Sequence, residues 1–214
     1  MTLRLVLASR NDHKVEEVRR ILAEELTDLQ AEVIPASEFP DAPEVVEDGA
    51  TFAANAALKA VALARFTGLP AIADDSGLCV DALNGMPGIF SARWSGRQGD
   101  PGRDMANLEL VLAQTSDVPD ARRGASFHCA VALALPDGEV RVVEGRVNGQ
   151  LVREPRGEHG FGYDPIFQPD GLAQTTAELS PADKDAISHR GRALHALVPV
   201  LQEVFTSSRV RIAE

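Results

Sequence analysis

The sequence predicts an α/β fold with a mixed β-sheet and flanking helices. Apolar, β-rich runs alternate along the chain with segments whose apolar residues recur at helical spacing. Two of the β-rich runs, "ASFHCAVALAL" and "EVRVVEGRV", are separated only by a turn at Asp137-Gly138, which is typical of a hairpin. A hairpin adds antiparallel pairing to a sheet that alternating helices and strands would otherwise make parallel, so we expect a mixed sheet.

The first two elements are a buried strand at 3–9 and an amphipathic helix at 13–26. Between them, Asn11 or Asp12 is placed to cap the helix. A strand that leads directly into a capped helix leaves backbone N–H groups free to bind an anion, here with Lys14 in the first helical turn. Most such turns bind nothing, so this feature alone does not identify a site.

The remaining elements continue the alternation without a repeat or a linker, so residues 1–214 are predicted to form a single domain. Gly68 and Pro70 end one predicted helix, and Ser180 caps the last, which is expected to bend near Pro199. In chain order the predicted elements are a strand at 31–36, an acidic, proline-rich loop at 38–49, a helix at 51–66, a strand at 71–75, a glycine-rich loop at 83–104, a helix at 104–115, the hairpin, a second glycine-rich loop at 157–167 and the terminal helix.

Composition and charge exclude several classes of function. The net charge of the 214-residue chain is -11, which disfavours a nucleic-acid polymer as partner because such binding needs a basic face. No uninterrupted apolar stretch is long enough for a membrane helix, and the N-terminal segment does not have the pattern of a secretory signal. Cys79 and Cys129 lack metal-ligand spacing, so we expect buried thiols in a reducing cytoplasm.

Two adjacent acids, Asp74 and Asp75, stand where the third strand is predicted to end. Adjacent side chains of an extended chain point to opposite sides, so the two carboxylates cannot form one bidentate pair. A carboxylate at a strand end favours a divalent cation such as Mg²⁺, although a solvated turn explains "DDSG" equally well. Lys59 is a lone cation in an alanine-dense segment, and both a snorkelling lysine and a functional one fit that position.

Five motifs occur in one order along the chain: "LASRNDHK", "EDGATFAANAALKA", "AIADDSGLCVDALNGMPGIFSARWSG", "GFGYDPIF" and "ELSPADKDAISHRGRAL". Together they resemble the inosine triphosphate pyrophosphatase family, and the resemblance spans nearly the whole chain. It implies an elongated α/β homodimer with two lobes around a central cleft. It also implies Mg²⁺-dependent cleavage of ITP, dITP and XTP between the α and β phosphates, which gives the nucleoside monophosphate and pyrophosphate.

The resemblance assigns roles to single residues. Asp75 corresponds to a metal-bound carboxylate that accepts a proton from the attacking water, and Glu47 corresponds to a second metal ligand. On chemical grounds, Asp74 beside Asp75 is the alternative acceptor of that proton. The other matched residues are expected to bind substrate: Ser9, Arg10, Asn11, Asp12, His13, Lys14, Lys59, Ser76, Phe161, Gly162, Tyr163, Asp164, Lys184, His189 and Arg190. The first loop departs from the family pattern, since relatives often carry Thr-Gly-Asn at positions 9–11.

The chemistry of these residues agrees with the resemblance. Phosphoanhydride hydrolysis needs positioning and charge neutralisation more than covalent catalysis. Phe161 is expected to stack on the base, Arg190 and His189 to donate to a 6-oxo group, and Asp164 to accept from the ring N–H. Two alternatives remain: a related pyrophosphatase that prefers a pyrimidine or methylated base, and a catalytically silent nucleotide sensor.

Overall fold

The computed structural model of the protein describes residues 3–9, 12–28, 30–97 and 99–212. Within these ranges it places the side chains of all residues except Leu3, Asp12, His13, Glu24, Glu25 and 206–212. None of the helices in this part of the chain is both long and apolar enough to cross a membrane.

The described strands form a mixed sheet in the order β2-β1-β3-β4-β5-β6. The strands are β1 (Leu3–Leu7), β2 (Ala31–Pro35), β3 (Ala71–Val80), β4 (Gly124–Ala134), β5 (Val140–Leu151) and β6 (Phe167–Pro169). Strand β1 pairs in parallel with β2 and β3, whereas β5 pairs antiparallel with β6. The predicted turn joins β4 to β5, with the Leu135 N–H donating to the Glu139 carbonyl at 2.9 Å. The predicted α/β class with a mixed sheet is confirmed.

The described helices are α1 (Asp12–Ile21), α2 (Ala23–Asp28), α3 (Phe52–Thr67), α4 (Arg103–Gln114), α5 (Pro181–Ile187) and α6 (His189–Ile212). The first helix predicted at 13–26 is therefore two helices, with a break at Leu22. Thr51 caps α3, its hydroxyl accepting from the Ala54 N–H at 3.1 Å, and Gly68 ends this helix in the left-handed conformation. Ser180 caps α5 as predicted, and Pro199 lies inside α6.

Strand β3 corrects a prediction, because it does not end at Asp75 but runs on to Val80. Leu78 and Val80 are fully buried, so burial extends the strand through a segment that has turn-like composition. A Cβ atom at residue 77 would lie 2.5 Å from the Gly88 carbonyl oxygen, so glycine lets this part of the strand pack closely. The two acids are therefore mid-strand residues.

The terminal helix also differs from its prediction, because Ser188 separates α5 from α6. Ser188 has extended backbone angles, φ −67° and ψ 155°, while its N–H donates to the Lys184 carbonyl at 2.8 Å. His189 is consequently the first residue of a new helix, and Arg190 the second.

The chain divides into two compact units. The first unit comprises Met1–Asp75, Ala130–Gly145 and Gly191–Glu214, and the second comprises Ser76–Cys129 and Arg146–Arg190. One core cluster of the first unit is mostly alanine, and α3, β3 and β4 contribute most of these alanines. Small side chains let a helix approach a sheet closely, which sets the distance that longer side chains of α3 must span.

The core of the second unit is built from larger residues, including Leu78, Leu108 and Ile166. Phe127 and Phe167 meet edge to face with ring centroids 4.6 Å apart. Arg123 is buried beside this core, and its guanidinium donates to the carbonyl oxygens of Thr115, Leu151 and Val152. One side chain thus provides hydrogen-bond donors for backbone carbonyl groups at the C-terminal end of α4 and at the end of β5.

Replacing Arg123 tests whether these hydrogen bonds stabilise the fold. We expect Arg123→Ala to lower the free energy of unfolding by about 3 kcal/mol, because three carbonyl oxygens lose their donor in a buried position. Urea denaturation measures the loss. The matched control is Arg122→Ala, which removes an exposed neighbouring arginine and is expected to change stability by less than about 0.5 kcal/mol. Equal effects of the two variants would contradict the role given to Arg123.

Candidate active site

One ammonium group of the first unit lies among several acidic groups. Lys59 Nζ is 2.8 Å from Glu47 Oε1 and 3.6 Å from Asp75 Oδ1. It also donates to the backbone carbonyl of Asp74 at 2.7 Å. The lysine therefore links α3, the acidic loop and β3, and its head group does not snorkel into solvent.

The two adjacent acids use different partners, as expected for neighbouring residues of an extended strand. Asp74 Oδ2 accepts from Lys14 Nζ at 3.0 Å, which brings α1 to this part of the strand. Asp75 Oδ2 accepts from Asn55 Nδ2 at 3.1 Å. The strand thus presents two buried carboxylates, each with its own lysine contact.

Asn55 was not identified from the sequence. It is fully buried, and its Oδ1 accepts from the Gly49 N–H at 2.8 Å while its amide group binds Asp75. One signal was available: Asn55 and Lys59 are polar residues four positions apart in the alanine-dense part of the helix, so they share one face.

Burial and charge act in opposite directions on these groups. Burial alone lowers the pKa of Lys59, but the surrounding Asp74, Asp75 and Glu47 outweigh it and raise that pKa above its usual value. For Asp75, burial is the largest influence and raises the pKa of the carboxyl group, with Lys59 and Asn55 opposing it. A carboxylate with a raised pKa is a better proton acceptor than an exposed one.

The carboxylates of Glu47 and Asp75 are candidate ligands for Mg²⁺. Among the described residues, no group of three His, Cys, Asp or Glu side chains could hold a metal. Glu47 and Asp75 nevertheless both contact the same ammonium, so they are within reach of one cation. Mg²⁺ is commonly held by one or two carboxylates together with substrate phosphates. Glu47 and Asp75 can supply the two carboxylates.

A cavity of about 150 Å³ adjoins Lys59 in the first unit. Ser9 and Lys59 are the polar residues of its lining that the sequence analysis had singled out, and residues of the acidic loop complete it. Arg10 and Asn11 lie outside the described residues, as do the side chains of Asp12 and His13. Their predicted contacts with substrate stay predictions.

A second cluster of predicted residues lies in the second unit. Lys184 Nζ is 5.1 Å and the Arg190 guanidinium carbon 5.7 Å from the centroid of the Phe161 ring. Arg190 also donates to Ser76 Oγ at 3.0 Å. Two buried cations therefore stand beside one partly exposed aromatic ring.

Asp164 has a structural task that the sequence analysis did not foresee. Its carboxylate accepts from the Phe161 N–H at 2.9 Å, from Lys184 Nζ at 2.7 Å and from Thr176 Oγ1 at 2.9 Å. These bonds fix the loop that carries Phe161. Gly162, with φ +62°, supplies the left-handed conformation that the turn requires. Asp164 thus positions the loop.

Two further aromatic residues, Phe127 and Tyr163, support this cluster. The His189 ring stacks on Phe127, with centroids 4.7 Å apart and planes 10° apart. Sequence reasoning missed Phe127 because nothing local links a β4 residue to the start of α6. Tyr163 is buried, and its hydroxyl donates to the Ser91 carbonyl at 2.9 Å, so its side chain supports the loop from inside.

Comparison with known proteins identifies the family of this chain. The family model described as "Ham1 family" matches residues 5–200. The chain belongs to the Ham1 family. A dITP/XTP pyrophosphatase of Streptomyces avermitilis is 60% identical over 201 residues, which are 94% of this chain and 98% of that protein. The Streptomyces coelicolor protein of the same name is 59% identical over 201 residues, with the same coverage.

Solved structures of Ham1 relatives have the same fold. A HAM1 protein from Coxiella burnetii has 44% identity and a TM-score of 0.83, covering 94% of this chain and 100% of the other. The nucleoside-triphosphatase, dITP/XTP pyrophosphatase of Mycobacterium abscessus has 53% identity and a TM-score of 0.74, covering 92% and 100%. The family resemblance inferred from the five motifs is confirmed.

Tyr163 gives a prediction for alkaline pH. Burial is the main cause that raises the pKa of its phenol, with a smaller contribution from Asp104. The folded state therefore favours the neutral phenol. Tyr163 therefore contributes its full stabilisation below about pH 10, where the phenol is neutral in the unfolded state too. This stabilisation is lost as the pH rises further.

Ultraviolet absorbance of tyrosinate can follow this group alone, because Tyr163 is the only tyrosine of the chain. We expect tyrosinate to form only as the protein unfolds. Tyr163→Phe should lower stability near neutral pH by about 1 kcal/mol through loss of the bond to Ser91. It should also weaken the alkaline loss of stability. Tyrosinate that forms near pH 10 in the folded protein would contradict the assigned burial.

Proposed function

We propose that this Ham1 protein hydrolyses the non-standard purine nucleoside triphosphates dITP, ITP and XTP to the monophosphate and pyrophosphate. The observation that carries the proposal is the contact of Lys59 with Glu47, Asp75 and the Asp74 carbonyl in a single cluster. Relatives named dITP/XTP pyrophosphatase, which align over nearly the whole chain, support the same reaction.

In the first unit, the charged residues match the needs of phosphoanhydride hydrolysis. Lys14 and Lys59 would bind phosphate oxygens and offset their negative charge. Asp75 would accept the proton of the water that attacks the α phosphorus, while pyrophosphate leaves. Glu47 and Asp75 would hold Mg²⁺, which when bound supplies further charge neutralisation.

In the second unit, the residues match the needs of purine recognition. Phe161 would stack on the base, but stacking does not distinguish one purine from another. Arg190 and His189 would donate hydrogen bonds to a 6-oxo group, which adenine lacks. Both donors are buried, and an adenine base would offer them no acceptor at position 6, which would disfavour its binding.

We extend the proposal to a homodimer that acts in the cytoplasm, as the family resemblance implies. Neither cysteine of the chain, Cys79 or Cys129, is in a disulfide, which suits a reducing compartment.

The proposed reaction is tested by its products. Incubation of the protein with dITP and Mg²⁺ should yield dIMP and pyrophosphate in equal amounts, and a chelator should abolish turnover until Mg²⁺ is restored. Appearance of dIDP and orthophosphate as first products would contradict cleavage between the α and β phosphates. Faster turnover of a pyrimidine or methylated-base triphosphate would favour the related pyrophosphatase, and tight binding without turnover would favour a nucleotide sensor.

Arg190→Met tests base recognition. We expect it to lower kcat/KM for ITP far more than for ATP and to reduce the ratio between them by about 100-fold or more, since sites built on such hydrogen bonds discriminate by roughly 10⁴-fold. Steady-state kinetics with both nucleotides measure the ratio. Arg192→Met removes an exposed arginine two positions on and should leave the ratio unchanged. An unchanged ratio in Arg190→Met would mean that Arg190 does not contact the base.

A further inference from the structure

Asn55 uses both ends of its side-chain amide inside the first unit. It is completely buried, its Oδ1 accepts from the Gly49 N–H at 2.8 Å, and its Nδ2 donates to Asp75 Oδ2 at 3.1 Å. The orientation of the amide is unambiguous, because a backbone N–H can only donate and the side facing it must be oxygen. The NH₂ group therefore faces the carboxylate.

This arrangement fixes the direction of the Asp75 carboxylate. One oxygen, Oδ2, is bound by Asn55, and the other, Oδ1, lies 3.6 Å from Lys59 Nζ. Rotation of the carboxylate would break the bond to Asn55 and leave a buried donor without a partner, which is energetically unfavourable. Asp75 is thereby held with one oxygen directed at the site occupied by the ammonium group.

The same side chain fixes the acidic loop. Gly49 follows Glu47 by two residues, and a Cβ atom at Gly49 would lie 2.6 Å from Asn55 Oδ1 and 2.8 Å from the Ala54 Cβ. The loop backbone therefore rests directly on the first turns of α3. Asn55 is thus bonded to both segments that carry these carboxylates. Glu47 and Asp75 in turn contact the same Lys59 ammonium.

We propose that Asn55 is a positioning residue for hydrolysis, which holds the Asp75 carboxylate and the Glu47 loop so that both reach one cation. The inference rests on the proposed function. Asn55 itself contacts neither water nor phosphate in this role, and it acts through Asp75. A misplacement of about 1 Å in a catalytic group can cost roughly 100-fold in rate, so loss of this bond should appear in kcat.

Two substitutions separate this role from simple support of the fold. Asn55→Asp keeps an acceptor for the Gly49 N–H but removes the donor to Asp75 and places a like charge beside it. Asn55→Ala removes both bonds and is compatible with the alanine-rich helix, so it remains informative if the aspartate variant does not fold. Both are assayed with dITP at saturating Mg²⁺, well below their melting temperatures.

Asn107 provides a matched control in the second unit. It is also a buried helical asparagine, with its Oδ1 accepting from the Ser95 N–H at 2.7 Å and its Nδ2 donating to the Ser91 carbonyl at 3.2 Å. Asn107→Asp therefore imposes a comparable cost on stability without touching a carboxylate. Asp75→Asn serves as the reference for loss of the catalytic acid.

We expect kcat to fall by about 100-fold in Asn55→Asp and Asn55→Ala, with KM for dITP changed less than about threefold. Asn107→Asp should lower the melting temperature similarly but keep kcat within about threefold of wild type. Wild-type kcat in Asn55→Asp, or in Asn55→Ala if the aspartate variant does not fold, would overturn the inference, and so would a rise in KM alone. If Asp75→Asn is inactive in that experiment, the proposed function still stands. If Asp75→Asn keeps its activity, the proposed active site is wrong and the inference falls with it.

Discussion

The arrangement of the first unit depends on one half-buried ammonium group. Lys59 is the cation that contacts Glu47, Asp75 and the Asp74 carbonyl together, and the two carboxylates would repel each other without it. Its pKa is raised by their charges in spite of burial, so it remains protonated at neutral pH. The group that holds the acids together is thus also a group that phosphate oxygens can bind.

The alanine-rich cluster between α3, β3 and β4 explains how Lys59 reaches the acidic groups. Alanines of α3 face alanines of β3 and β4, so the helix lies close to the strand that carries the two acids. Asn55 and Lys59, one turn apart, then place an amide and an ammonium against the same carboxylate. A larger residue at the buried Ala56 or Ala60 would push the helix away and lengthen both contacts.

The second unit solves a different problem, which is to keep two buried cations beside an aromatic ring. Lys184 is paired with Asp164, and the same carboxylate binds the backbone of Phe161. The break at Ser188 starts α6 at His189, whose ring is held by Phe127. Rigid support of this kind suits the proposed recognition of a 6-oxo group in preference to an amino group, because mobile donors would adapt to both.

The sequence predicted the fold class, most element positions and many of the residues that meet in the two clusters, because periodicity and the five motifs are local signals. It did not predict the extension of β3, since "DDSG" has turn composition and only the burial of Leu78 and Val80 extends the strand. The break at Ser188 and the roles of Asn55, Asp164 and Phe127 depend on contacts between segments distant in sequence, which no local pattern encodes.

The central claim is that the Lys59 ammonium is required for the chemistry and not only for the fold. The most direct measurement compares kcat for dITP in Lys59→Gln and Arg65→Gln, which remove the two cations of α3, one inside the cluster and one exposed. We expect Lys59→Gln to lose about 10²–10³-fold in kcat, as for removal of a preorganised charge-stabilising group, with Arg65→Gln close to wild type. A folded Lys59→Gln protein with wild-type kcat would contradict this account.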